Sequence, residues 1–249
     1  MADPQQQRID TLEAELAALR AEMQDFSYTV SHDLRASLRH ILSYAQLVQE
    51  DAGPLLPDET RGFLDTISDS ARHMGLLMDG LMELSRLGSV ALHIEAVPLD
   101  ALLRDVAHEL ALQHPQRSLQ WQIADALPAV QADAALLRKA LYCVLENAVK
   151  FTAQRPTALI AIATDAAGAP GMVTLTVQDN GAGFNPALQA GLFHPFKRLH
   201  TTKQFAGIGM GLALTRKILQ RLDGRVDAQG VPEAGCTITL TLPGTATPP

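Results

Sequence analysis

Apolar residues in the first 30 positions recur at steps that alternate between three and four. The series consists of Ile9, Leu12, Leu16, Leu19, Met23, Phe26 and Val30. An unbroken alternation of this kind is a heptad seam, and it predicts a parallel coiled-coil dimer over residues 1–30. The alternative is a single amphipathic helix that packs on its own domain.

The spacing changes after Val30, where successive steps of four replace the alternation. Such a stutter locally unwinds a supercoil, and this one brackets His32. Residues 53–58 then break the helix, and a second helical pattern covers residues 63–84. Two such hairpins bury their apolar stripes together as a four-helix bundle. The pattern therefore predicts a homodimer through a helical hairpin over residues 31–90.

Beyond Pro98 the pattern changes from helices alone to helices mixed with strands. Helical spacing covers residues 99–112, 134–151 and 213–222, and strand-like spacing covers residues 159–164, 173–178 and 237–242. Helices combined with an apparently antiparallel set of strands predict a two-layer α+β sandwich over residues 95–244.

Composition narrows the classes of function. The chain has 249 residues of which 47% are hydrophobic, so a sizeable core is expected. A net charge of -7 without a basic block argues against nucleic-acid binding. Cys143 and Cys236 are too isolated for a disulfide framework or a zinc site, which fits a reducing cytoplasm. No run approaches the roughly 18 apolar residues of a membrane span.

His32 lies beside the apolar stripe of its helix, so its ring should be reachable from solvent. Imidazole is a good nucleophile at neutral pH, and the neighbouring Asp33 carboxylate can fix its tautomer by accepting one ring N–H. A histidine on a helix is more often an ordinary surface or packing residue. The nucleophile hypothesis therefore depends on motifs further along the chain.

Two glycine clusters carry the features of a nucleotide site. Asp179 follows a predicted strand and can accept a hydrogen bond from an exocyclic amine, while Gly181 and Gly183 let backbone approach a flat ring. The second cluster comprises Gly207, Gly209 and Gly211. It leads into a helix whose N-terminus favours phosphate. The alternatives are an ordinary turn and a flexible loop, and the spacing is not the dinucleotide fingerprint.

Asn147 and Lys150 share one face of the helix before the sheet. They supply an amide oxygen for Mg²⁺ and a cation for phosphate. Phe193 and Phe196 lie between the glycine clusters, where they are placed to anchor a lid over a nucleotide.

Five segments resemble, in order, the sequence boxes of the two-component sensor histidine kinases. The phosphoacceptor, asparagine, first glycine, phenylalanine and second glycine boxes correspond to residues 31–39, 145–152, 179–184, 193–196 and 207–213. The wording SHDLRA and the run Phe196–His200 are also similar to the phytochrome-related branch.

The resemblance implies a protein-histidine kinase with a dimeric four-helix bundle followed by a Bergerat-type ATP-binding sandwich. It implies that His32 takes the γ-phosphoryl group of ATP, while Asp33 holds the tautomer and assists proton removal. Asp179 would recognise adenine, Asn147 would hold Mg²⁺, and Lys150 with the glycine backbones would hold phosphates. The family passes the phosphoryl group to a response regulator receiver domain. Its input comes from an upstream sensor domain or partner, which we expect outside this chain.

Three positions depart from the family pattern. Ser37 replaces a helix-bending proline, and Ala36 replaces a polar residue linked to phosphatase activity. Cys143 replaces a second asparagine; its thiol is a poor ligand for a hard cation, although it should point toward the phosphates. The alternative is a small core residue that faces away. These departures keep open a rival function, a catalytically weak dimeric scaffold that binds nucleotide or only a regulator.

Overall fold

The computed structural model describes residues 4–165, 170–201 and 204–245, with side chains from Ser31 onward and at part of the preceding helix. The chain divides into two compact units, Met1–Val90 and Ala91–Pro249.

The first unit is a hairpin of two long helices. Helix α1 spans Pro4–Ala52, a 3-10 turn covers Gly53–Leu55, and helix α2 spans Asp58–Arg86. Helix α1 continues through the stutter, and Ser37 donates its hydroxyl to the Asp33 carbonyl one turn earlier at 3.4 Å. A serine keeps its backbone N–H and has no ring to clash with that turn, so the helix does not break where the family has proline.

The N-terminal coiled coil stays a prediction. The side chains of Ile9, Leu16 and Phe26 lie outside the described residues, and those of Leu12 and Met23 are exposed in the single chain. Within the described part of the chain, no helix has both the length and the apolar character that a membrane crossing requires.

In its described residues, the second unit contains three α-helices and two sheets. The helices are α3 (Leu99–Gln113), α4 (Ala134–Phe151) and α5 (Gly211–Arg221). The strands are β1 (Glu95–Pro98), β2 (Leu119–Ile123), β3 (Ala129–Ala132), β4 (Ala158–Asp165), β5 (Met172–Asp179), β6 (Arg225–Val231) and β7 (Gly235–Pro243). A further 3-10 segment covers Pro186–Gly191.

Strands β1 and β3 form an antiparallel pair, and the remaining five form one sheet in the order β2-β4-β5-β7-β6. The expected antiparallel set is confirmed for its three strands, β4, β5 and β7. Strand β2, which was not predicted, runs parallel to β4 with Trp121 opposite Ile160. A parallel neighbour needs a crossover, and the chain supplies one through β3 and α4. The spacing did not reveal β1, β2, β3 and β6, which are short or carry polar residues.

The predicted two-layer α+β sandwich is confirmed. Large apolar side chains of all three helices and of the central strands are almost fully buried between the layers. They include Leu103, Leu110, Leu141, Leu145, Ile160, Ile162, Leu175, Ile218 and Leu240. Burial of this kind is the main stabilising contribution to the unit. It also fixes α4 and α5 against the sheet, so that residues at their ends reach a common site.

Asp133 sets the position at which α4 begins. Its carboxylate accepts hydrogen bonds from Leu136 N at 3.0 Å and from His93 N at 3.1 Å. Burial alone would raise the pKa of this carboxyl, but the backbone N–H groups of His93, Leu136 and Ala135 lower it below its usual value. Asp133 is therefore a charged N-cap that joins the entry into the unit to the helix carrying Asn147 and Lys150.

Candidate functional site

His32 lies on the solvent face of α1, with 64% of its side chain exposed, while Ser31 before it is buried. Its Nδ1 is 3.2 Å from Asp33 Oδ1. An ionised carboxylate can only accept, so Nδ1 donates and the ring lone pair resides on Nε2. The arrangement defines a tautomer in which Nε2 is the nucleophilic nitrogen.

The turn after His32 is tied to α2. Arg35 Nη2 lies 2.6 Å from Asp79 Oδ1 and 3.3 Å from Met82 Sδ. Both charged side chains are largely exposed, so this ion pair contributes at most about 1 kcal/mol to stability. Its effect is to fix the rotation of α1 near His32, and no sequence motif marked Asp79 for this role.

A cavity of about 610 Å³ in the second unit collects the predicted nucleotide residues. Its lining includes Asn147, Lys150, Asp179, Gly183, Gly207, Gly209 and Gly211. Gly181 is the exception, since it lies behind Asp179 rather than in the lining. A Cβ at Gly181 would sit 2.6 Å from the Phe151 carbonyl oxygen, so only glycine fits at this position.

Asp179 ends β5 as a buried carboxylate. Gly181 N at 2.8 Å and Cys236 N at 3.3 Å both donate to Oδ1, and neither bond involves Oδ2. Burial raises the pKa of this carboxyl to about 6, and the two N–H bonds oppose that rise. The group is therefore mostly ionised at pH 7 and acts as an acceptor for a donor inside the cavity.

Arg155 supports the Asp179 loop from behind. Its Nε donates to Asn180 O at 2.9 Å, and its Nη2 donates to Gly181 O at 3.2 Å and to Glu233 O at 2.5 Å. One guanidinium thus fastens the first glycine loop to the turn between β6 and β7. No local pattern marks Arg155, because its role depends on contacts with residues 25 to 78 positions away.

Basic residues also belong to the cavity lining. Lys150, Lys197 and Arg198 are among them. Burial lowers the pKa of Lys150, Glu146 raises it and Arg198 lowers it further. Lys150 Nζ lies 3.5 Å from the place that a Cβ would take at Gly207, whose φ is +121°. A lysine, neighbouring cations and an open glycine backbone form a suitable place for a polyanion.

The second glycine loop is shaped by a close approach of two backbones. Gly209 has φ +75°, and a Cβ there would sit 2.7 Å from Lys197 O. Its own carbonyl accepts from Phe196 N at 3.1 Å. The loop then enters α5 at Gly211. The first residues of this helix, Gly211 and Leu212, belong to the cavity lining.

Cys143 does not occupy the predicted position. It is outside the cavity lining, and its Cβ is 3.6 Å from the place of a Cβ at Gly211, on the first residue of α5. Burial, and then the charge of Glu146, raise the pKa of its thiol to about 11. The alternative of a small packing residue therefore describes Cys143 better. Glu146, which the sequence analysis did not single out, lines the cavity instead.

Two family models match the chain. Residues 22–90 match the His Kinase A (phospho-acceptor) domain, and residues 132–246 match the histidine kinase-, DNA gyrase B-, and HSP90-like ATPase domain. The models cover the hairpin and most of the sandwich, respectively.

Curated relatives align along nearly the whole chain. The methanogenesis regulatory histidine kinase FilI of Methanothrix harundinacea is 29% identical over 96% of this chain and 26% of its own length. The circadian input-output histidine kinase CikA of Synechococcus elongatus is 29% identical over 96% of this chain and 32% of its own. Cyanobacterial phytochrome B of Nostoc is 28% identical over 93% of this chain and 31% of its own length. The chain thus spans about a quarter to a third of these relatives.

Solved structures share the fold. The crystal structure of full-length ShkA in complex with AMPPNP superposes with a TM-score of 0.63 and 27% identity, covering 90% of this chain and 47% of that one. The Acinetobacter baumannii histidine kinase AdeS has a TM-score of 0.58 at 20% identity, covering 86% of this chain and 98% of its own, and supports the fold alone.

Proposed function

The chain belongs to the sensor histidine kinases, with a phospho-acceptor domain followed by an ATPase domain, and on this premise we propose that it phosphorylates itself on His32 from ATP. The phosphoryl group then passes to an aspartate of a response regulator receiver domain. The observation that carries the proposal is the convergence of Asp179, Asn147, Lys150 and both glycine loops on one cavity.

In this proposal the cavity orients ATP because its lining contains a carboxylate for the base and basic residues for the phosphates. Asp179 accepts the adenine amine, and the raised pKa of about 6 still leaves it ionised near pH 7. Gly183 gives the flat base room, because it lines the cavity without a side chain. Lys150, Lys197 and Arg198 face the phosphates, and the N-terminal end of α5 adds backbone N–H groups.

The donor set also fits Mg²⁺. No cluster of three or more His, Cys, Asp or Glu side chains among the described residues is arranged to hold a metal. Mg²⁺ at nucleotide sites usually takes one or two protein oxygens and completes its shell with phosphates and water. Asn147 supplies an amide oxygen here, and Glu146 lies in the same lining. When bound, the ion neutralises charge on the phosphates.

The transfer step assigns separate roles to the two residues on α1. Nε2 of His32 attacks the γ-phosphorus, a P–N bond forms, and the bond to the oxygen of the leaving ADP breaks. Asp33 stabilises the positive charge that develops on the ring and takes the Nδ1 proton, 3.2 Å away. Positioning and charge neutralisation account for most catalysis in such transfers.

The proposal includes a homodimer through the hairpin. Leu34, Ile41, Leu47, Val48, Phe63, Ile67 and Met74 are large apolar side chains that stay exposed in the single chain. Their number on two helices exceeds what an isolated hairpin leaves to water, and a second copy would cover them as a four-helix bundle.

The test is labelling of the whole chain with γ-labelled ATP and Mg²⁺. We expect a label that is lost in acid and retained in alkali, as a phosphoramidate is. His32→Gln should abolish this label with nucleotide binding intact, whereas His40→Gln, an exposed histidine on the same helix, should label normally. An acid-stable label, or labelling that persists in His32→Gln, contradicts the proposal. Nucleotide binding without any label supports the scaffold function.

A further inference from the structure

Three rings form one wall of the cavity. Phe151 ends α4, and His200 and Phe205 lie between the two glycine loops. The His200 ring centroid is 5.4 Å from that of Phe151 and 5.1 Å from that of Phe205, while Phe151 and Phe205 are 5.1 Å apart. Phe205 is 5% exposed, so the cluster is anchored on its inner side.

His200 also makes a polar contact across the cavity edge. Its Nε2 is 2.9 Å from the carbonyl oxygen of Gly183. A carbonyl can only accept, so Nε2 carries the hydrogen and donates it. The backbone of Gly183 is closely constrained: its φ is +60°, and a Cβ there would lie 1.9 Å from Val231 O. The position of its carbonyl oxygen, which accepts the bond, is therefore well defined.

One hydrogen bond joins two described residues that flank His200 in the chain. Arg198 Nη2 donates to Phe205 O at 2.6 Å, so these two residues are held together on either side of His200. The His200–Gly183 bond then links this part of the chain to the first glycine loop. Arg198, a cation of the cavity lining, is two residues away from that link.

We propose that His200 is a positioning residue for nucleotide: its Nε2–H bond to Gly183 holds Arg198 and Phe205 in place in the lining of the cavity. The inference rests on the proposed function, because it deepens the assignment of the cavity to ATP. His200 acts through its neighbours and does not take part in the transfer. Its loss should therefore weaken ATP binding and leave the rate at saturating ATP unchanged.

Two substitutions separate the hydrogen bond from the ring contacts. His200→Phe keeps a ring against Phe151 and Phe205 but removes the donor. His200→Gln removes the ring but keeps an N–H at a similar distance from the backbone. Loss of one neutral hydrogen bond should weaken ATP binding about fivefold in His200→Phe, and His200→Gln should stay within about twofold of the natural protein.

The measurement is ATP affinity by calorimetry on the full chain with Mg²⁺, followed by labelling rates as a function of ATP concentration. We expect KM to follow affinity, with kcat and the unfolding temperature without nucleotide the same in all three proteins. Unchanged affinity in His200→Phe, or equal loss in both variants, overturns the inference while the natural protein still binds ATP. Failure of the natural protein to bind ATP overturns the proposed function itself.

Discussion

The hairpin and the sandwich use apolar residues differently. Tyr44 and Phe63 on the hairpin are 68% and 58% exposed, whereas Leu141 and Leu145 in the sandwich are 0% exposed. The sandwich thus buries its own core within one chain, and the hairpin does not. The difference indicates that the first unit needs a second copy for a complete core and that the second unit is complete alone.

The two units also differ in how they present chemistry. His32 stands on an exposed helix face, as a group must if it is to meet both ATP and a receiver domain. Asp179 is buried with a raised pKa, and the glycines around it adopt backbone conformations that other residues resist. Transfer requires access at the acceptor, and recognition of a base requires a fixed, partly dry pocket.

The largest expected effect is on dimerisation, and it tests whether the hairpin needs a second copy to complete its core. Ile41→Asp places a charge among exposed apolar residues of the hairpin, and burying that charge between two copies is costly. We expect the dimer to weaken at least about a hundredfold, as measured by sedimentation of the full chain over a concentration series. His40→Asp, one residue earlier on an exposed polar position, is the matched control. A dimer of equal strength in both variants would mean that the hairpin stripe is not the interface.

A core truncation tests the self-sufficiency of the sandwich. Leu141→Ala removes a fully buried side chain from α4 and should lower the free energy of unfolding of this unit by about 2–5 kcal/mol. Leu188→Ala, an exposed leucine of the same unit, should change it by less than about 1 kcal/mol. Denaturant unfolding, with the hairpin followed separately, makes the measurement. Loss of the hairpin transition in Leu141→Ala would contradict two independent cores.

The buried carboxylate makes adenine binding dependent on pH. Burial raises the pKa of Asp179 to about 6, so the ionised acceptor is present above that value and protonated below it. Adenosine affinity should fall by roughly tenfold between pH 7 and pH 5, as one charge-assisted hydrogen bond is lost. Asp179→Asn should bind weakly and flatten this profile, and Asp165→Asn should preserve it. A natural protein with a flat profile would contradict the assignment.

The raised pKa of Asp179 favours adenine binding at higher pH but favours folding at lower pH. The folded-state pKa lies above the unfolded value of 3.8, so the folded protein holds the proton more tightly. The contribution of Asp179 to the free energy of unfolding therefore decreases as pH rises from about 4 to about 6. Under the proposed function, this carboxylate is retained at a cost to stability because it recognises the base.

The smallest expected effect concerns Cys143, at the junction of α4 and α5. Because the Cβ of Cys143 lies near Gly211 and the residue does not line the cavity, Cys143→Ser should change the Mg²⁺ concentration for half-maximal labelling by less than about twofold. Asn147→Ser, one turn later on the same helix, should raise that concentration strongly. If Cys143→Asn lowers it instead, the side chain at this position does reach the metal.

Much of the fold followed from periodicity, with instructive exceptions. The spacing predicted α4 with the bounds that the structure has, because its apolar positions repeat at 3.6 residues over the full length. It did not predict β2, although Leu119, Trp121 and Ile123 alternate with glutamines over its five residues, or the parallel pairing of this strand. Strand direction depends on how the chain crosses over, which no local pattern encodes.

The sequence by itself determined the parts whose physics is local: the helical stripes, the order of the five motifs, and the places where only glycine fits. Tertiary structure decided which side chains meet. It turned Cys143 toward α5, brought Arg155 under the Asp179 loop, and set His200 against Gly183. Helical spacing and backbone preference act over a few residues, whereas these contacts join segments that are 17 or more residues apart and exist only once the sheet and helices have packed.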